Sequence, residues 1–191
     1  MSYIKPLLLS TLLLLPATSL HAEESTAFNK TLTLKGITFQ VSSPNDSSLS
    51  KVTIKTKGLK RDETFENEAD GTVTDAAVAD INDDGAPEVY VFVTSAGSGS
   101  YGSVLAYSSN KNLSATPVYM PELNENKPAA KGYIGHDQFS IKENRLVRRF
   151  PVYGDKDSNA NPTQGYRELQ YKLVPGEAGW LFKLVKRSDS K

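Results

Sequence analysis

The chain contains no cysteine. That excludes disulfides, cysteine nucleophiles and thiolate metal centres, and also a lipid-anchored bacterial form, whose linkage needs a cysteine at the cleavage site. Histidine is nearly as scarce, with only His21 and His136, so a zinc site built from several imidazoles has no ligands to draw on. Neither sign of charge is in excess: 22 basic and 22 acidic residues cancel, and no strong field draws the chain to nucleic acid or to an anionic membrane. The one basic cluster, Arg145, Arg148 and Arg149, reads as a solvated or salt-bridged strand face. No Gly-x-Ser-x-Gly elbow surrounds Ser98 or Ser100, and no Gly-x-x-x-x-Gly-Lys phosphate loop occurs. A glycosidase needs only two carboxylates, but nothing singles out a pair. The expectation is a protein that is not an enzyme, with no cofactor and no assigned metal site.

Long apolar runs are missing too, except at the start. Lys5 supplies a positive end, Leu7 to Leu15 an apolar segment, and Leu20-His21-Ala22 a small-residue exit. This pattern predicts a secretory signal over residues 1–22, cut after Ala22. The run is shorter than the roughly 20 residues of a spanning helix, and Pro16 interrupts it, so no membrane anchor is expected. The remaining 23–191 segment loses Lys5 and carries a net charge of minus one with histidine neutral. It is read as a single β domain in the periplasm. A chain of this size buries roughly 70% of its unfolded surface, enough to fold without disulfides.

What is present is strand after strand. Leu32 and Leu34 alternate, Gly36 marks a bulge or turn, and Ile37, Phe39 and Val41 resume the alternation on the other parity. Val52, Ile54 and Thr56 form another alternating run. The stretch from 60 to 71 is charged and reads as solvated, and 72–81 as extended. Val89, Val91 and Val93 lie on one face of a segment whose other face carries Tyr90 and Phe92. Such a strand is central or covered by a partner subunit, which raises a possible homodimer. Leu169, Tyr171 and Leu173, then Trp180, Phe182 and Leu184 after a Pro175 to Gly179 turn, complete a terminal hairpin. The expected fold is an antiparallel β-sandwich, with a barrel as the alternative.

Between two of these strands stands Ser95-Ala96-Gly97-Ser98-Gly99-Ser100-Tyr101-Gly102-Ser103. Such a loop displays side chains: the glycines reach positive φ cheaply and the serines bond neighbouring backbone. Ser98-Gly99-Ser100-Tyr101 resembles the Ser-Gly-x-Tyr signature of bacterial lysozyme inhibitors. Together with Asp80 to Glu88 before the strand and Asp155 to Thr163 after it, the chain resembles the periplasmic inhibitors of invertebrate-type (i-type) lysozyme. The resemblance implies a partner, the i-type lysozyme of a host animal, and protection of bacterial peptidoglycan. It further implies that Ser98 and Tyr101 enter the enzyme's active-site cleft, while Gly97, Gly99, Ser100 and Gly102 shape the loop.

A rival reading rests on Asp80, Asn82, Asp84, Gly85 and Glu88, which reproduce the first half of a calcium loop. Val91 replaces the glutamate that an EF-hand carries at its twelfth position. The plainer reading of these residues is a turn whose side chains satisfy its own backbone. The alternative function is a calcium-stabilised β-domain that binds carbohydrate or cell-wall material, with Tyr101, Tyr107 and Tyr119 as stacking surfaces. Asp155, Asp157, Asn159 and Asn161 invite a similar, weaker calcium reading, and His136 reads as a surface histidine in a turn.

Overall fold

A computed structural model describes residues 27–191; the expected signal segment lies outside them. The strands are β1 (Phe28–Leu34), β2 (Ile37–Ser43), β3 (Leu49–Lys57), β4 (Thr64–Asp70), β5 (Thr72–Ala79), β6 (Glu88–Thr94), β7 (Gly102–Ser108), β8 (Thr116–Tyr119), β9 (Gln138–Lys142), β10 (Arg145–Pro151), β11 (Tyr166–Gly176) and β12 (Gly179–Ser190). A single helical turn, α1 (Lys127–Ala130), precedes β9, its first turn capped by the Asn126 side chain, which accepts from the Ala129 N–H.

Strands β1 to β4 form one antiparallel meander. The other eight form a second sheet in the order β5-β6-β7-β8-β12-β11-β10-β9. All its pairings are antiparallel except β8 with β12. Its two ends, β5 and β9, come into contact, so this sheet is a nearly closed barrel. The meander packs against one wall of the barrel. Sandwich and barrel, weighed as alternatives from the sequence, therefore occur together.

Two cores follow from this arrangement. Inside the barrel, Tyr90, Phe92, Leu146, Phe150, Leu169 and Phe182 pack together. Between barrel and meander, Phe39, Val41, Val52 and Ile54 meet Val89, Val91 and Val93. Strand β6 is thus buried on both faces by its own chain. Its doubly apolar pattern is explained without a partner subunit and gives no support to a homodimer.

The charged stretch from 60 to 71 is not simply solvated, because residues 64–70 form β4. Glu66, Glu68 and Asp70 face solvent while Phe65, half-buried Asn67 and buried Ala69 face inward. The alternation was present in the sequence, but charge on the outer face masked it. Lys35 and Gly36, both at positive φ, make the two-residue turn of the first hairpin. The terminal hairpin forms as expected, with Glu177 and Ala178 at its turn and a bulge between Gln170 and Tyr171.

Strand β6 fixes the layout of the barrel's two ends. The 95–101 loop leaves its C-terminal end, alongside the 131–137 segment and the 152–165 connection. The 80–87 loop enters its N-terminal end, beside the β9–β10 turn, where Asn144 Nδ2 donates to Asp83 Oδ1 at 3.0 Å.

Candidate functional site

The 95–101 loop closes the β6–β7 hairpin with a compact set of internal bonds. The Ser95 N–H donates to the Tyr101 carbonyl at 2.8 Å, and the Tyr101 N–H donates to Ser95 Oγ at 3.0 Å. Within it the Ser100 N–H donates to the Gly97 carbonyl at 3.2 Å. Gly97 sits at φ 112°, a conformation that L side chains avoid. Positive φ is not shared by Gly99 or Gly102; the other residue of the loop that adopts it is Ser100, at φ 42°.

Elements remote in sequence brace this loop from behind. Gly102 N–H donates to Asp137 Oδ2 at 2.7 Å, His136 N–H to the Gly99 carbonyl at 2.7 Å, and Asn159 Nδ2 to the Ser98 carbonyl at 2.6 Å. The Tyr101 ring meets the Tyr133 ring edge-on, with centroids 5.7 Å apart. Ser98 and Tyr101 themselves face outward, and Tyr101 is 50% exposed. Among the described residues neither hydroxyl has an intramolecular partner. The loop thus ties down the Ser98 and Gly99 carbonyls and leaves the Ser98 and Tyr101 hydroxyls free, while the Ser100 hydroxyl turns back to the Gly97 carbonyl. Beside Tyr101 opens a cleft of about 350 Å³ whose lining includes Asp70, Glu122, Tyr133 and Arg148.

Beneath the brace lies a buried ion pair. Arg148 alternates with Leu146 and Phe150 along β10 and so points into the barrel, where its Nε donates to Asp137 Oδ1 at 2.7 Å. Asp137 also accepts from the Tyr133 hydroxyl, and Arg148 Nη2 reaches that same oxygen at 2.6 Å. The guanidinium stacks over the Tyr133 and Phe139 rings at 4.9 and 5.4 Å. Burial works to lower the Arg148 pKa, but hydrogen bonding and the charge of Asp137 outweigh it and hold the group above its ordinary value. Burial, aided by the Asp137 carboxylate, raises the Tyr133 phenol.

Sequence reasoning missed Tyr133, His136, Asp137 and Asn159 as supports of the loop, and placed Arg148 on a surface-type cluster. Of that cluster, Arg148 is buried, whereas Arg149 lies over the Tyr166 ring at 3.7 Å and Arg145 binds the Asn144 carbonyl. Only the Gly135-His136-Asp137 turn and the polar 155–163 run gave any signal, because side-chain partnerships across 35 or 61 residues leave no local pattern.

The second candidate loop behaves differently. Asp80, Asp84 and Glu88 bring carboxylate oxygens within 4.8 Å of one another. Each is already engaged. Asp80 accepts from the Asp84 and Gly85 N–H groups and pairs with the Lys35 ammonium; Asn82 accepts from Asp84 N–H; Asp84 accepts from Ala86 N–H. Glu88 is fully buried and accepts from Ile81 N–H, the Tyr90 hydroxyl and Ser108 Oγ. Burial foremost, with the nearby Asp80 and Asp84 charges, pushes its pKa up to about 7. Asp80, Asn82 and Asp84 thus form the self-satisfied turn of the plainer reading, with the Lys35 ammonium on Asp80. Asp157 likewise accepts from the Gly154 and Thr163 N–H groups and the Thr163 hydroxyl, and Asn159 is spent on the 95–101 loop.

Tyr107 is not a stacking surface: it is buried against Phe65, with ring centroids 4.3 Å apart, and donates to Asn67 Oδ1 at 2.8 Å. Tyr119 is exposed. Among the described residues no helix is long and apolar enough to cross a membrane.

Fold and site together define a β-barrel protein that holds out a loop braced by remote segments. Residues 64–131 match the model of the family described as periplasmic lysozyme inhibitor of I-type lysozyme. The match runs from β4 to the end of α1, includes the whole 95–101 loop, and supports the resemblance read from the sequence. The family is one of periplasmic inhibitors that bind i-type lysozyme, not of enzymes. No curated protein and no solved structure gives a significant match.

Proposed function

We propose that this protein inhibits i-type lysozyme by inserting the 98–101 loop into the substrate cleft, and that it thereby protects bacterial peptidoglycan from a host animal's enzyme. The observation that carries the reading is the division of labour within the loop. The Ser98 and Gly99 carbonyls and the Ser100, Tyr101 and Gly102 N–H groups are tied down, while the Ser98 and Tyr101 hydroxyls are exposed and uncommitted. Lysozymes act through a pair of carboxylates, and a serine hydroxyl and a phenol can each donate a hydrogen bond to one. The loop offers no glycosidic bond, so the enzyme gains a ligand it cannot turn over. Tyrosine suits the role because it brings a large contact area on only two side-chain torsions. A braced loop also has little conformational freedom left to lose on binding.

The test is a titration of i-type, c-type and g-type lysozymes acting on cell-wall suspensions with the purified 23–191 protein. Loss of i-type activity near a stoichiometric ratio, with the other two classes spared, is the expected result. Undiminished activity of all three would overturn the reading.

A further inference from the structure

Two consecutive carbonyls of the loop, those of Ser98 and Gly99, are each held by a different remote segment, and the two holders are joined to each other. Asn159 Nδ2 donates to the Ser98 carbonyl at 2.6 Å, the His136 N–H donates to the Gly99 carbonyl at 2.7 Å, and His136 Nε2 lies 2.9 Å from Asn159 Oδ1. Asn159 is fixed in turn from below, where the hydroxyl of buried Tyr153 donates to its carbonyl at 3.0 Å. The His136 contact depends on Gly135. A β-carbon there would stand 1.9 Å from the Gly99 oxygen, and the residue sits at φ 104°.

We infer that Asn159 and His136 are positioning residues that latch the 98–101 loop in its binding-ready shape. Fixing the two successive peptide planes that flank Gly99 sets the direction in which the chain enters from Ser98 and leaves toward Ser100 and Tyr101. With both carbonyls turned toward the protein, the Ser98 side chain and the segment leading to Tyr101 face out. Without the latch, the loop retains the bonds at its base, Ser95 to Tyr101 and Gly102 to Asp137, but its tip is free to sample other shapes. Affinity then falls by the fraction of time the tip spends outside the competent shape. The latch lies on the surface, so its loss should not unfold the protein.

This inference rests on the loop-insertion reading for its effect on inhibition, but not for its effect on the loop itself. The decisive variant is Asn159→Asp, which keeps the size of the side chain and removes the donor to the Ser98 carbonyl. His136→Asn is a second, milder variant: asparagine tolerates the φ of 59° found there and retains the backbone N–H, but is too short to hold Asn159. Hydrogen exchange at the His136 and Ser100 amides and inhibition of i-type lysozyme are measured on both, beside Tyr101→Ala. The expected result for Asn159→Asp is at least tenfold faster exchange at His136 and about tenfold weaker inhibition, with the melting temperature unchanged. His136→Asn should show a smaller change in the same direction. Wild-type exchange in Asn159→Asp would overturn the latch, as would wild-type inhibition by Asn159→Asp when Tyr101→Ala has lost it. A large fall in melting temperature would also overturn it, by making Asn159 a general structural residue. If Tyr101→Ala inhibits as well as wild type, it is the insertion reading that fails, and the exchange rates alone then decide the latch.

Discussion

The two ends of strand β6 carry loops of similar polarity built on opposite plans. At its N-terminal end, the 80–87 loop uses its own acidic and amide side chains to satisfy its own N–H groups, and Lys35 and Asn144 take up the Asp80 and Asp83 carboxylates from outside. At its C-terminal end, the 95–101 loop has no acidic side chain and is held from outside by Asp137, His136 and Asn159, which leaves Ser98 and Tyr101 free. The barrel interior repeats the contrast. Glu88 is a buried carboxylate with no cation bonded to it, held by three neutral donors, whereas Asp137 near the other end is matched by Arg148.

The largest effect should come from breaking the ion pair. Asp137→Ala strips acceptors from Arg148, Tyr133 and Gly102 at once and leaves a guanidinium buried and unpaired. Removing one partner of a buried pair costs about 3–5 kcal/mol, so chemical denaturation should show a loss of that size together with loss of inhibition. A stability loss below about 1 kcal/mol would show that the pair does not organise this end.

Glu88 gives the next effect, through pH. Its pKa is raised on folding, from 4.5 to about 7, so the folded protein holds the proton more tightly than the unfolded chain. The resulting stabilisation is fully present below about pH 4.5 and is lost as pH rises through 7; a shift of this size corresponds to about 3 kcal/mol. Glu88→Gln should flatten the fall in stability between pH 4.5 and 7 that the wild type shows in denaturant titrations. An unaltered slope would assign the pH dependence to other groups.

Tyr101→Ala tests the displayed end and leaves the hydrogen bonds of its support in place, losing only the edge contact with Tyr133. Truncating a central anchor typically costs about 2 kcal/mol or more, so inhibition should weaken at least tenfold, and likewise for Ser98→Ala, while the melting temperature stays within a degree or two. Equal potency with wild type would remove the functional half of the comparison.

The smallest effects belong to the Asp-rich end. Asp84→Ala deletes the acceptor for the Ala86 N–H and should cost about 1 kcal/mol of stability with inhibition intact. Millimolar calcium should leave the melting temperature unchanged, because Lys35 and backbone N–H groups already occupy the Asp80 oxygens. A calcium-dependent rise would revive the cation reading and end the contrast between the loops.

Much of the architecture was legible in the alternation of single segments. The terminal hairpin, the hairpin around residues 95–101 and the doubly apolar β6 each follow from a period of two, which needs no knowledge of what lies across the sheet. Strand β4 escaped because its outer face is acidic, and the sequence leaves the cover of β6 open between its own chain and a partner because a pattern of burial does not say which surface does the burying.

By itself the sequence determined that the chain is a β-protein, that it lacks thiol and multi-histidine chemistry, and that a glycine- and serine-rich loop with one tyrosine stands between two strong strands. Those are local properties, set by composition and by the reach of neighbouring residues. Tertiary structure alone decided that Asp137, His136 and Asn159 hold that loop, that Arg148 is buried and paired, and that the Asp-rich loop consumes its own carboxylates. Such contacts join residues that only the closing of the barrel brings within hydrogen-bond distance, and their directional geometry is absent from any pattern along the chain.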